Sequence, residues 1–163
     1  MTKIKFGYKD IDELDKPKEV NDVFTSVSNK YDVMNDIMSF GLHRLWKKQF
    51  IRLCNIKSQK KVLDIACGTG DIALELIKKN PSIELTCLDP NTEMIEICKE
   101  KFINKGITNV DYQIKGIEEY KPVDKKFDLI TVTFGFRNFT NHKIALQNII
   151  QLLEPGGLFL IMD

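Results

Sequence analysis

The sequence predicts an α/β domain built on a parallel sheet, on three observations. Five short apolar runs of strand length alternate with segments of helical periodicity. The first run, Val62-Leu63-Asp64-Ile65, feeds a glycine turn, Cys67-Gly68-Thr69-Gly70-Asp71. That turn opens at once on an amphipathic stretch, Ile72 to Ile77. A strand, a glycine turn and a helix in succession set backbone N–H groups and a helix N-terminus at the sheet's carboxyl edge, where open α/β sheets hold their ligands. Strands connected in this way imply right-handed crossovers and a Rossmann-like arrangement.

Taken in order, Met1 to Asp15 mix lysines with acids and read as a loosely ordered start, a flexible segment over 1–16. From Pro17, residues Val20, Val23, Phe24 and Val27 recur at helical spacing, as do Met34, Ile37 and Met38. Gly41 breaks this stripe, and a further helix is expected from about Leu42 to Leu53. These N-terminal helices, 17–56, precede the first strand and are placed to cap the ligand crevice, with Met34, Met38, Phe40 and Trp46 as either docking residues or an apolar wall. The sheet domain, 57–163, then follows. Pro81 ends the helix after the glycine turn, and the second strand runs from Glu84 to Asp89. Thr92 is placed to cap a helix over Glu93 to Lys105. A third strand, Val110 to Ile114, leads into Lys115-Gly116-Ile117, and a fourth, Phe127 to Phe134, ends at Gly135-Phe136-Arg137-Asn138. A helix with Ile144, Ala145, Ile149 and Leu152 closes near Leu153, and Glu154-Pro155-Gly156-Gly157 turns into the fifth strand, Leu158 to Met162.

Composition narrows the classes. At 163 residues the chain has the length of one domain with room for a sizeable core. A net charge of +1 and the absence of a basic stripe interleaved with aromatics argue against a nucleic-acid partner. The four cysteines, Cys54, Cys67, Cys87 and Cys98, are far apart in sequence, with no C-x-x-C and no histidine at metal spacing. They read as reduced thiols of an intracellular protein, with no metal site expected. No apolar run approaches the roughly 20 residues of a membrane span, and no targeting segment is evident. A cytoplasmic protein is expected, with peripheral contact at the inner membrane surface left open.

Two ligands compete for the glycine turn. Gly68-x-Gly70-x-x-Ala73 satisfies the dinucleotide fingerprint, and Asp89, at the end of the second strand, is placed to accept hydrogen bonds from both ribose hydroxyls. That much suits NAD and S-adenosyl-L-methionine (SAM) equally. Local charge separates them: Asp71 lies where a pyrophosphate would sit, and Asp64 just before the turn. Two carboxylates there repel a phosphate and suit a ligand carrying a sulfonium and an ammonium. SAM is the expected cofactor.

The motifs also resemble a family. Tyr31-Asp32-x-Met34-Asn35-x-x-Met38-Ser39-x-x-x-His43-x-x-Trp46 is similar to the N-terminal signature of the ubiquinone/menaquinone biosynthesis C-methyltransferases. Asp64-x-Ala66-x-Gly68-Thr69-Gly70-Asp71 resembles their SAM loop, and Thr133-Phe134-Gly135-x-Arg137-Asn138 their fourth-strand segment. The resemblance implies a class I methyltransferase that transfers a methyl group from SAM to a ring carbon of a polyprenylated benzoquinol or naphthoquinol. It also implies that Thr69, Asp89 and Thr133 contact SAM, with Gly116 and Ile117 beside the adenine. Gly116-Ile117 stands where the family usually has Asn-Ala, and Gln151 and Glu154 occupy usually basic positions. The family's last strands have no counterpart here, so truncation after the fifth strand is expected. The resemblance leaves open a homo-oligomer or an assembly of quinone-biosynthesis enzymes.

Methylating a ring carbon requires a stabilised phenolate and its alignment with the S–methyl bond, and alignment alone can contribute roughly 7–11 kcal/mol. Arg137, at the carboxyl end of the fourth strand, is the candidate for stabilising phenolate oxygen, and Asn138 for orienting it. His43 is one of two histidines and a candidate proton carrier. Three rival readings remain: a methyltransferase for another small aromatic, an NAD(P)-dependent oxidoreductase, and a SAM-binding module with weak or no activity.

Overall fold

A computed structural model of the chain describes residues 3–6, 9–12, 42–58 and 61–163, with side chains described from residue 45. The helices expected between Pro17 and Phe40 lie outside the described residues. Within the segment expected to be loosely ordered, β1 (Lys3–Phe6) and β2 (Lys9–Asp12) pair antiparallel. Their register sets Lys3 opposite Asp12 and Lys5 opposite Asp10. Helix α1 spans Leu42–Leu53, as its apolar spacing predicts.

The sheet strands are β3 (Lys61–Ile65), β4 (Glu84–Leu88), β5 (Val110–Gln113), β6 (Phe127–Thr133) and β7 (Leu153–Met162). They are all parallel, in the order β5-β4-β3-β6-β7. Helix α2 (Asp71–Lys79) connects β3 to β4, α3 (Thr92–Ile103) connects β4 to β5, and α4 (His142–Leu152) connects β6 to β7. The chain leaves β3 in one direction for β4 and later returns to its other side as β6. The strand order therefore reverses at β3, and the loop after it lies at the switch point where such sheets open a crevice.

Four of the five residues of β3 are fully buried and alternate between two cores. Val62 joins α1, α2 and α3 through Phe50, Ile51, Leu76, Ile95 and Phe102. Leu63 and Ile65 join the opposite face, against Ile149 and Leu152 of α4. Continuous apolar strands covered on both sides are what a parallel sheet requires.

The start of the last strand differs most from the sequence expectation. Strand β7 starts at Leu153, before the Pro-Gly-Gly segment, and its register jumps from Leu153 opposite Phe127 to Leu158 opposite Leu129. The residues expected to form a turn are instead absorbed as a bulge, with Gly156 at φ +81°.

Gly70 anchors the turn after β3. Its φ of +80° favours glycine, and it stands at the N-terminus of α2. A Cβ there would lie 2.4 Å from Cys98 Sγ and 3.0 Å from Phe102 on α3. The absence of a side chain is what lets the turn seat against α3. Gly70→Ala should cost about 2–4 kcal/mol, combining overpacking with the strained φ. Chemical denaturation checks this, and an unchanged midpoint would show that the turn is not held by this contact.

Candidate functional site

A cavity of about 670 Å³ opens at the carboxyl ends of β3, β4, β5 and β6. Asp89, which follows β4 and is only 8% exposed, lines it. Asp89 Oδ2 accepts from Gly68 N–H at 2.9 Å, and Oδ1 accepts from Asn91 N–H at 2.9 Å. The carboxylate thus ties the glycine turn to the start of α3. Burial pushes its pKa up to about 6, against the lowering effect of these two N–H donors. Gly68, at φ +53°, lines the cavity and has open space where a side chain would project. Asn91, rather than the expected Thr92, caps α3 by accepting from Met94 N–H at 2.9 Å. The residue one position earlier has the extended backbone an N-cap needs.

Leu88, Met94 and Ile117 give the cavity an apolar side. The Gly116–Glu118 segment that carries Ile117 is fixed by Asn148, a buried residue of α4. Its Nδ2 donates to the carbonyls of Ile117 and Glu118, both at 3.0 Å. Glu118 in turn accepts from the N–H groups of Thr140 and Asn141, at 2.9 and 3.3 Å. Sequence reasoning passed over Asn148; an asparagine on the inner stripe of an otherwise apolar helix is the signal that could have found it.

Thr133 and Asn138 line the opposite wall, at the end of β6. Two non-glycine residues here, Ala66 at φ +52° and Phe134 at φ +55°, occupy the left-handed region. Such strain is tolerated where surrounding structure enforces it, and it clusters at ligand sites. Gly135 explains part of the enforcement: a Cβ on it would lie 2.4 Å from Ala66 Cβ, so the loops after β3 and β6 meet there.

Gly68, Asp89, Gly116, Ile117, Thr133 and Asn138 are thus brought together around the cavity. Asp64, Thr69, Gly70 and Arg137 are not among its lining. Asp64 lies a layer below, fully buried, with Oδ1 accepting from Thr131 Oγ1 at 2.7 Å. Burial pushes its pKa up to about 7, opposed by that hydrogen bond. Thr69 faces α3 and accepts from Lys101 Nζ at 3.1 Å, and Gly70 packs on Cys98. Arg137 is two-thirds exposed, with Nε 3.4 Å from Asp163 Oδ1, while its backbone N–H donates to Asp163 Oδ2 at 2.6 Å. The side chain of His43 lies outside the described residues.

The charge argument also changes. Asp71 is not a lone carboxylate at the start of α2: Lys47 Nζ lies 2.5 Å and Lys101 Nζ 2.8 Å from its two oxygens. Burial would raise its pKa, but the two lysines hold it below the usual range. Negative charge around the cavity comes instead from Asp89, Glu118 and Glu119, against Lys115 as the one cation among the lining residues. The cysteines differ as well. Cys67, Cys87 and Cys98, distant in sequence, converge with all three sulfurs within 4.8 Å of one another.

This strand order, glycine turn and strand-end carboxylate define a Rossmann-like methyltransferase fold. NodS, an N-methyltransferase from Bradyrhizobium japonicum WM9 crystallised with S-adenosyl-L-homocysteine (SAH), superposes with a TM-score of 0.64 over 75% of this chain and 61% of its own, at 22% identity. The chain belongs to the ubiE/COQ5 methyltransferase family, whose model matches residues 12–163. Ubiquinone/menaquinone biosynthesis C-methyltransferase UbiE of Hydrogenovibrio crunogenus is 41% identical over 162 residues, 98% of this chain and 64% of that protein. Its counterpart in Pseudoalteromonas translucida is 43% identical over 97% of this chain, again 64% of that protein. The chain therefore spans somewhat under two-thirds of these relatives. Among the described residues, no helix is long and apolar enough to cross a membrane.

Asn148→Ala should destabilise the fold by about 1–3 kcal/mol, since a buried and a partly buried carbonyl lose their donor. It should also speed amide hydrogen exchange around residues 116–120. Loss of stability without faster exchange there would separate Asn148 from the cavity wall.

Proposed function

We propose that the cavity binds SAM, and that the whole protein uses it to methylate a ring carbon of a polyprenylated benzoquinol or naphthoquinol. The observation that carries the reading is Asp89, held over the glycine turn by Gly68 N–H beside the apolar side formed by Leu88, Met94 and Ile117. Its carboxylate suits the ribose hydroxyls, and the apolar side suits an adenine. Asp89, Glu118 and Glu119 give the cavity the charge that a cationic ligand favours. The residues present therefore fit SAM. The relatives named UbiE support the quinol as substrate.

When bound, SAM supplies an electrophilic methyl group on a sulfonium. The chain's own residues bind and orient. Asp89 holds the ribose, Gly116 and Ile117 offer backbone groups to the adenine, and Gly68 leaves room for the ligand to approach the turn. Thr133 and Asn138 stand at the wall where a substrate oxygen would meet the cofactor, and Asn138 orients it. Arg137, paired with Asp163, braces the Phe136–Asn138 turn that carries Asn138, instead of reaching the phenolate itself. Asp64 and Thr69 act from behind the turn, and His43 stays the candidate proton carrier. A substrate with a polyprenyl tail favours a cytoplasmic enzyme working at the membrane surface, alone or within an assembly of its pathway.

One observation favours a second reading, a dinucleotide: Lys47 and Lys101 supply positive charge at the start of α2. Calorimetry distinguishes the two. SAH should bind and NADH should not, and binding of NADH alone would overturn the proposal. Asp89→Ala should weaken SAH binding roughly ten- to hundredfold, the loss of charge-assisted hydrogen bonds worth about 1.5–3 kcal/mol.

The carboxylate is the form that accepts from both ribose hydroxyls, and its pKa is about 6. Affinity for SAH should therefore hold above pH 7 and fall as the pH drops through 6. Asp89→Asn should bind weakly at every pH and show no such fall. A fall of equal size in the variant would assign the titration to another group.

A further inference from the structure

Behind the glycine turn, on the face of the sheet covered by α2 and α3, three thiols that the proposed methyl transfer does not use lie together. Cys67 comes from the turn, Cys87 from β4 and Cys98 from α3. All are buried, and their sulfurs lie within 4.8 Å of one another. Three sulfurs bound to one ion at about 2.3 Å, at tetrahedral angles, stand about 3.8 Å apart. Drawing the triangle in from 4.8 Å to that size moves each sulfur by no more than about 0.6 Å, within side-chain adjustment.

A second observation lies beside the cluster. Asp64 is aligned with Cys87 across the β3–β4 pairing, with its side chain on the same face. It is fully buried, and its Oδ2, with the Ala73 N–H nearby, makes no well-formed hydrogen bond. Buried carboxylate oxygens are rarely left so, because the loss of solvation is uncompensated. A cation is one partner that would satisfy it. Lys101, one helical turn after Cys98, has its ammonium on Thr69 Oγ1 and Asp71 Oδ1.

We propose that Cys67, Cys87 and Cys98 form a binding site for a soft divalent d10 cation of the zinc class, with the Asp64 carboxylate on the same face of the sheet. Thiolates select such ions over magnesium or calcium. Binding replaces three thiol protons by the metal, and those protons pass to the solvent, so no oxidant or reductant is required. The site stands independently of what fills the cavity, because none of its three sulfurs belongs to that ligand's proposed contacts. It does share the turn: Cys67 immediately precedes Gly68, and Cys87 lies two residues before Asp89.

Cadmium, a d10 ion with a thiolate charge-transfer absorption, is the probe. The full chain, purified under reducing conditions with chelator and then freed of both, is titrated with Cd²⁺ alone. One equivalent should bind, with a charge-transfer band whose intensity per ion matches three thiolates. Cys54→Ser should bind as the parent does. Cys67→Ser, Cys87→Ser and Cys98→Ser should each lose at least tenfold in affinity, and circular dichroism selects the variants that fold. With three independent variants, failure of one to fold leaves the others to decide. Absence of the band, equal binding in folded Cys87→Ser or Cys67→Ser, or loss of binding in folded Cys54→Ser would overturn the site. So would a chain two hydrogens lighter that binds no metal, which would show that the thiols pair as a disulfide.

Discussion

The hydrogen bond from Gly68 N–H to Asp89 is the constraint on which the rest of the site depends. It joins the ends of β3 and β4, adjacent strands whose register already aligns Ile65 with Leu88. The same carboxylate accepts from Asn91, which in turn caps α3 through Met94. One buried side chain therefore fixes a glycine turn, a strand end and a helix start. Its burial would be unfavourable if it were unpaired, and two backbone donors offset that cost. Positioning comes before chemistry here: the acceptor is already oriented by the fold.

The electrostatics are arranged in layers. Below the sheet's edge, Asp64 is closed off from water, and its raised pKa reflects burial more than any neighbouring charge. At the start of α2, Asp71 is paired with two lysines, which link α1 and α3 to the turn between them. Only at the cavity itself do carboxylates outnumber cations among the lining residues. An ionic preference at the cavity thus comes from the β4 and β5 loops rather than from the helix start. Lys47 also gives α1 a direct connection to the glycine turn, so the helical segment before the sheet is coupled to it by charge as well as by the packing of Phe50 and Ile51.

The sequence made the sheet legible because each strand is a short apolar run buried on both faces, and each following helix carries its own stripe. The central turn was legible for the same local reason: Gly68 and Gly70 occupy positive φ, and Asp89 closes the next strand. What depended on side-chain partners was not. Asp71 looked like a free carboxylate because Lys47 and Lys101 lie 24 and 30 residues away. Asn148 looked like one polar residue on an amphipathic helix, because the carbonyls it holds are 31 and 30 residues distant. The three cysteines lacked any metal-like spacing, since β4, α3 and the turn each contribute one. Thr92 and Asn91 compete for the same cap, and local preference does not separate adjacent candidates of similar propensity. The bulge in β7 was hidden because Pro155-Gly156-Gly157 has the composition of a turn.

The loops after β3 and β6 show how the site's geometry is imposed rather than chosen locally. Neither Ala66 nor Phe134 gains from a positive φ in isolation, and each costs on the order of 1–3 kcal/mol there. Phe134 N–H is held by the carbonyl of Met162 at 2.7 Å, which ties the strained residue to β7. Gly135 meets Ala66 at a distance that admits no further carbon. The contact between these two loops is therefore set by three strands together, β3, β6 and β7. The strained residues are tied into the sheet through these contacts, so the wall carrying Thr133 is held by its neighbouring strands. A wall held in this way suits a reaction in which orientation is the larger part of the barrier. The same sheet that buries the core thus also fixes the one surface where small displacements would matter.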